Sequence, residues 1–363
     1  MNADSTFFSC FIVIYNNGPF VEAAVTSTLN LVYDNCEVLI SDDCSTDDSW
    51  EKVQKVVAAY KGNKTIILNR NEVNLGINAH LNKIYNLAKA EYLVALAGDD
   101  VNGSLDRLYK LDIVVKKYHP LIISSNVQGI DETGKFFDYK PNFTPTDSAN
   151  KLNQAGLYDA KENILVIEKM PVELINVGYL GASITINRKI LAYNNFRLPE
   201  SLPYEDQFLT FLANMQGSSV YCFEKQIQYR VSANNLTSKL FRNNSDPLPK
   251  ILTWNKNNEM INGRKLSFLT LPNQFRDKHE INQIFNKLLI DNLRIKITMA
   301  SVEKKGIFYK LKQFTILRQL KGLPHKVDAI ILFKLVIAIF FSSLLVKKEI
   351  SDFATRSKTF SNS

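Results

Sequence analysis

Short apolar runs alternate with segments of helical periodicity through the first hundred residues. Ser9–Ile14 is apolar nearly throughout and suits a strand buried on both faces. Tyr15-Asn16-Asn17-Gly18 reads as a turn, and Pro19 suits a first helical turn. Phe20, Ala23, Ala24, Ser27 and Leu29 then follow near helical spacing. Glu37–Ile40 predicts a second strand ending at Ser41-Asp42-Asp43. Ser45 is a good N-cap for a helix through Trp50, Val53, Val56, Val57 and Tyr60, with Asp47 and Asp48 near its positive end. Thr65–Leu68 predicts a third strand, Asn74-Leu75-Gly76 a turn, and Asn78–Ala88 a helix with Leu81, Ile84, Tyr85 and Ala88 on one face. Tyr92–Leu96 is the fourth strand, and it runs into Ala97-Gly98-Asp99-Asp100.

This β-α-β-α-β-α-β order predicts an α/β fold, a doubly wound and mostly parallel sheet with right-handed crossovers. Ligands of such sheets bind outside the carboxyl ends of the strands. Tyr15, Asp42 and the Asp99-Asp100 pair all fall at such ends, so one cleft collects them. Two adjacent acids after a buried strand are costly without a positive partner. A divalent metal carrying phosphates is one such partner, because hard cations take oxygen ligands. The plainer alternative is a solvated pair that starts a turn or caps the helix near Leu105. The first strand is followed by no G-x-G-x-x-G, and no Gly-Lys-Ser/Thr occurs, which argues against a dinucleotide or P-loop site.

The middle of the chain is mixed. Leu121–Ser125 and Ile227–Val231 predict strands, the second carrying Tyr229-Arg230 at its end, where a lone Arg reads most simply as a surface residue. Asp131–Lys135 is a turn, and Phe136–Asn153 a polar loop. Gly178–Ser183 is rich in small residues, which permit either close approach of a ligand to backbone, around Gly181, or a tight strand crossing. Pro203-Tyr204-Glu205-Asp206-Gln207 opens an amphipathic helix, where acids commonly serve the helix dipole.

Charge changes the picture at the far end. From Ile284 to Ser363, 15 Lys and Arg stand against 5 Asp and Glu, so the whole net charge of +8 belongs to this tail. Ile284–Lys312 reads as basic helix, and Ala329–Val346 is apolar except for Lys334, Ser342 and Ser343. That length approaches a membrane span, but the central Lys and flanking lysines favour a helix lying on an anionic cytoplasmic leaflet. Packing on the catalytic domain or in a homo-oligomer is the alternative. No aromatic-interleaved RNA-reading motif accompanies the basic stretch, so nucleic acid is a poor fit. The four cysteines form no CxxC pair, Cys10 and Cys36 read as buried thiols, and no basic n-region opens the chain. Together these predict a reducing, cytoplasmic setting.

In this order the motifs resemble glycosyltransferase family 2, inverting enzymes of the GT-A fold that use nucleotide-diphosphate sugars. The similarity spans roughly residues 7–240, with 241–363 as a helical basic extension. It is carried by Tyr15-Asn16, Asp42-Asp43-Cys44-Ser45-Thr46-Asp47, Asn74-Leu75-Gly76, Ala97-Gly98-Asp99-Asp100, Tyr204-Glu205-Asp206 and Tyr229-Arg230. The resemblance implies a nucleotide-binding half (1–105) and an acceptor-binding half (106–240). It implies that Tyr15 stacks on the base, Asp42 hydrogen-bonds the base ring, and Asp99 and Asp100 contact ribose and a Mn²⁺ or Mg²⁺ on the diphosphate. Asp206 would be the general base, with Glu205, Arg230 and Gly181 near acceptor or diphosphate. It further implies a UDP-sugar donor and a glycan acceptor, lipid-linked, in bacterial O-antigen or capsule synthesis at the inner-membrane surface. Three residues depart from the family pattern. Ile14 stands where a small or hydroxylated residue is usual, Ala97 replaces an earlier acid, and Ser232 stands where many members have His. Ala97 and Ser232 keep alive a degenerate glycan- or nucleotide-sugar-binding protein. A sugar nucleotidyltransferase would show a glycine-rich loop with Arg after the first strand, which is absent here.

Overall fold

A computed structural model describes residues 5–139, 157–159, 161–168, 179–195, 197–232, 247–269, 278–303, 346–348 and 350–352. The chain forms two compact units, one of residues 1–170 and 177–231, the other of 171–176 and 232–363.

The first unit begins with the alternation expected from the sequence. It comprises β1 (Phe8–Ile14), α1 (Val21–Leu29), β2 (Cys36–Asp42), α2 (Ser49–Ala59), β3 (Thr65–Arg70), α3 (Ile77–Leu87) and β4 (Tyr92–Ala97). β1, β2 and β4 are buried almost throughout, as inner strands covered by helices must be. After β4 come β5 (Val101–Asn102), α4 (Arg107–Tyr118), β6 (Ile122–Ile130), β7 (Phe136–Phe137), β8 (Leu157–Asp159), β9 (Ile164–Ile167) and β10 (Thr185–Asn187). α5 (Glu205–Gln216) and β11 (Ser219–Arg230) complete the unit.

All eleven strands join one sheet, ordered β3-β2-β1-β4-β10-β6-β11-β9-β8, with β5 on β11 and β7 on β6. β1 pairs in parallel with β2 and β4, β2 with β3, and β6 with β11, while β10 is antiparallel to both β4 and β6. β1, β2, β3, β4, β6 and β11 therefore all point the same way, and their carboxyl ends share one edge. The chain winds outward from β1 to β3 and then crosses to β4 on the other side of β1. The β1–β4 boundary is thus the topological switch point, where ligands of open α/β sheets bind.

One predicted cap is different. α2 starts at Ser49 behind Asp48, and Ser45 lies a turn earlier, its N–H and hydroxyl both spent on Asp42. Asp47 holds the turn instead, accepting the N–H groups of Gly18 at 2.9 Å and Ser49 at 3.0 Å. Cys10 and Cys36 are buried thiols, as expected.

The second unit contains α6 (Pro247–Leu269) packed against α7 (Lys278–Val302), with Lys296 and Glu259 paired at 3.1 Å. α7 buries Ile284, Leu288, Leu289, Leu293 and Ile297, the stripe visible in the sequence. Residues 329–345 of the apolar tail segment lie outside the described residues. Among the described residues no helix is long and apolar enough to cross a membrane.

Candidate active site

The loops after β1, β2 and β4 are stitched together by their own polar side chains. Asn16 adopts φ 54° and accepts the Thr46 N–H at 2.9 Å, while its own N–H goes to Ser45 Oγ at 2.9 Å. The Asn17 N–H goes to Ser49 Oγ at 2.8 Å. The Gly98 N–H reaches back to the Val13 carbonyl at 2.8 Å, tying the acidic turn to the end of β1. A Cβ on Gly98 would stand 2.7 Å from Asn17 Oδ1 and 3.1 Å from the Val13 oxygen, so this approach needs glycine. Tyr15, 47 % exposed, projects from the resulting platform.

Asp42 ends β2 beneath this platform. It has 0 % exposure, accepts the Ser45 N–H at 3.0 Å and the Ser45 hydroxyl, and meets Arg70 Nε at 3.3 Å. Arg70 also donates to the Ser45 carbonyl at 3.1 Å. Its neighbour Asp43 is buried too, and accepts from Asn71 Nδ2 at 2.7 Å and from the N–H groups of Leu75 and Gly76 at 2.9 and 3.0 Å. The Asp42-Asp43 and Asn74-Leu75-Gly76 landmarks are thus two halves of one clasp. Sequence reasoning missed Arg70, whose signal is its register opposite Asp42 across β2 and β3, invisible before the strands are paired.

The acid pair sits at the end of β4. Asp99 is part-buried, and Asp100 is 1 % exposed. Asp100 Oδ1 accepts the Arg230 N–H at 2.8 Å, and Oδ2 is buried without a hydrogen-bond partner. Burial, then the charge of Asp99, push the Asp100 carboxyl well above the usual range, with Arg230 acting in the opposite direction. Arg230 corrects the surface reading: only 6 % exposed, it donates from Nε to the Asp99 carbonyl at 2.8 Å and from Nη1 to the Asp131 carbonyl at 2.7 Å. Its guanidinium lies 4.4 Å from the Phe20 ring centre. It fastens the acidic turn to α1 and to the β6–β7 turn.

Asp206 stands in the first turn of α5, part-buried, its Oδ2 accepting the Gly181 N–H at 3.1 Å and its Oδ1 the Gln207 N–H at 2.7 Å. Gly181 opens a single 3₁₀ turn, Gly181–Ser183, pinned to β6 by Ser183 Oγ and Ser124 Oγ at 2.8 Å. Burial, then the charge of Asp206, raise the Glu205 carboxyl to about 7. Tyr229, just before Arg230, is 9 % exposed, and the charges of Asp99, Asp100 and Asp206 all act on its phenol, which burial above all holds un-ionised. Tyr139 packs against Tyr229, with ring centres 5.0 Å apart. A cavity of about 490 Å³ lined by Thr6, Phe7, Glu91, Tyr92, His119 and Lys189, among others, opens at the opposite edge of the sheet and includes none of these groups.

Among the described residues no group of three His, Cys, Asp or Glu could hold a metal. The Asp99-Asp100 pair still fits a hard cation, because it offers carboxylate oxygens only and one of them is orphaned.

A largely parallel sheet wound this way, with paired carboxylates closing an inner strand, is the GT-A fold. Residues 9–160 match the model of glycosyl transferase family 2. Among curated proteins, the UDP-Glc:alpha-D-GlcNAc-diphosphoundecaprenol beta-1,3-glucosyltransferase WfaP of Escherichia coli is 34% identical over 92 residues, 25% of this chain and 35% of that protein. The chain thus matches about a third of that relative's length. The fold neighbours extend further. S. aureus TarS 1-349 in complex with UDP-GlcNAc aligns over 98% of this chain and 92% of its own, with TM-score 0.61 at 16% identity. Mannosyltransferase PcManGT from Pyrobaculum calidifontis, in complex with GDP-Man and Mn²⁺, aligns over 98% and 86% with TM-score 0.53 at 12% identity. Likeness at these identities speaks to the fold alone.

Proposed function

We propose that the chain is an inverting glycosyltransferase that moves a sugar from a UDP-linked donor to a hydroxyl of a lipid-linked glycan in bacterial surface-polysaccharide synthesis. The observation that carries this reading is Asp100, a buried carboxylate with an unpartnered oxygen beside Asp99, at the switch point of a sheet that matches the family 2 model. Asp99 and Asp100 would hold Mg²⁺ or Mn²⁺, which when bound neutralises charge developing on a departing diphosphate.

The chain's own residues then divide the work. Tyr15 offers a ring face to the nucleobase from a loop clamped by Asn16, Asn17 and Ser45. Asp42, with both oxygens engaged, shapes that pocket from beneath through Ser45 and Arg70 rather than touching the base. Arg230 fixes the backbone of the acidic turn. Asp206, oriented by the Gly181 and Gln207 N–H groups, takes the proton of the acceptor hydroxyl as its oxygen bonds to C1 and the C1–diphosphate bond breaks. One such displacement inverts the anomeric centre. A positioned base of this kind contributes about 10²–10⁴-fold.

The WfaP name supports a UDP donor and a diphosphoundecaprenol-linked acceptor, and the UDP-GlcNAc complex of TarS supports the same nucleotide. GDP-Man on the same fold in PcManGT means that the fold does not choose the base. The basic tail supports docking on an anionic membrane surface, as a peripheral protein. The test is a thermal-shift screen of nucleotide sugars with Mn²⁺ or Mg²⁺, followed by transfer assays. Asp206→Asn should retain donor binding and lose about 10²–10⁴-fold in turnover; unchanged turnover removes the base assignment.

A further inference from the structure

Asp206 is carried by the first turn of α5, and the segment that leads into that turn is gripped by two asparagines of α3. The segment, Leu198–Leu202, ends four residues before Asp206, and both of its leucines are buried. Asn82 Nδ2 donates to the Leu198 carbonyl at 2.9 Å, and the Leu198 N–H donates back to Asn82 Oδ1 at 2.7 Å. The side-chain amide thus pairs with backbone as a neighbouring strand would. Asn78 lies one helical turn earlier on the same face of α3. Its Nδ2 donates towards the carbonyls of Pro199, Glu200 and Leu202, at 3.3, 3.2 and 2.5 Å. The Leu202 N–H closes on the Pro199 carbonyl at 3.2 Å, so the segment curls round one amide group. The start of α3 is itself anchored by Asp43, which accepts the Leu75 and Gly76 N–H groups and belongs to the same loop as Ser45, the residue that holds Asn16 beside Tyr15.

Asn78 Oδ1 is buried and has no hydrogen-bond partner among the described residues. An orphaned oxygen of this kind lowers stability, so the value of the amide lies in where it puts the carbonyls it binds. Resting on the reaction proposed for Asp206, we infer that Asn78 and Asn82 are positioning residues for the general base. They fix Leu198–Leu202 on α3 and thereby set where the first turn of α5 presents the carboxylate. The same helix starts at the loop behind Tyr15, so the base is placed relative to the donor pocket and not merely relative to its own helix. A base misplaced by about 1 Å costs on the order of 10²-fold in rate while leaving donor binding intact.

The experiment takes full-length wild type, Asn78→Ala, Asn82→Ala, Asp206→Asn and a core control on α4, Val114→Ala. If Asn78→Ala does not fold, Asn82→Ala carries the test. Melting temperature ranks global stability, calorimetry measures UDP in Mg²⁺, and hydrogen exchange follows Gly181 and Gln207, whose N–H groups the Asp206 carboxylate accepts. Turnover is UDP release from UDP-glucose or UDP-GlcNAc, with GlcNAc-diphosphoundecaprenol or water as acceptor. Both asparagine variants should speed exchange at Gly181 and Gln207 about tenfold beyond a control of equal melting temperature. They should bind UDP as wild type does and lose roughly 10–10²-fold in kcat at unchanged donor KM. Exchange and kcat no worse than in Val114→Ala would make the asparagines structural only, and weakened UDP binding would assign them to the donor pocket. Either result overturns the inference, and if Asp206→Asn is still inactive the base reading stands. Full turnover by Asp206→Asn, or a wild type that releases no UDP, overturns the base reading and this inference with it.

Discussion

Replacing Arg230 tests how the acidic turn is held. Its guanidinium makes two hydrogen bonds to carbonyls, at 2.8 and 2.7 Å, and faces Phe20 at 4.4 Å. Hydrogen bonds from a charged group contribute roughly 1.5–3 kcal/mol each, and a partly desolvated cation–π contact about 1 kcal/mol. Water entering behind a truncated side chain recovers part of this, so Arg230→Leu should cost about 3–4 kcal/mol. At about 2–4 °C per kcal/mol for a domain of this size, the melting temperature should drop by roughly 6–16 °C. Arg230→Lys keeps the charge but cannot span both carbonyls, and should lose about half as much. The assay is thermal unfolding of the two variants beside wild type, with metal-dependent nucleotide binding measured in parallel. Binding should weaken in both variants, because Asp99 and Asp100 lose their fixed spacing. A drop under about 2 °C for Arg230→Leu, or equivalence of Lys and Arg, would refute the argument that this side chain fastens the turn.

Three further outcomes follow from particular contacts. Asn69 Nδ2 donates to Ser41 Oγ at 2.8 Å, leaving the hydroxyl proton for His80 Nε2 at 2.7 Å, and burial holds the imidazole below its usual 6.5. The unfolded chain therefore binds that proton first, so stability is lost as pH falls below about 6.5, and His80→Gln should flatten the acid limb of melting temperature against pH. Gly98→Ala forces a methyl against Asn17 and the Val13 carbonyl. It should cost about 1–3 kcal/mol and weaken nucleotide binding by shifting the Tyr15 loop, both checked by melting and calorimetry. Truncation before Gly322 should abolish sedimentation with anionic vesicles; retained binding would exclude the tail as the membrane contact.

The sequence by itself determined the first hundred residues and the class of chemistry. Strands buried on both faces must be continuously apolar, and helices covering them must carry a 3.6-residue stripe, so the periodicity of Ser9–Leu96 specifies a wound parallel sheet almost uniquely. Carboxylates closing such strands fall on one edge whatever the detailed packing, which is why Asp42, Asp99 and Asp100 were legible. Tertiary structure decided what each does there, because partners distant in sequence meet only when strands pair. Asp42 opposite Arg70 becomes a buried clasp, Arg230 moves from an apparent surface residue to the fastening of the acidic turn, and Ser45 serves Asp42 in place of a helix N-terminus. Tyr229 was visible only as half of a Tyr-Arg landmark. Its packing against Tyr139 depends on β11 lying beside β6 and on a missing side chain at Gly129, a relation between residues a hundred positions apart.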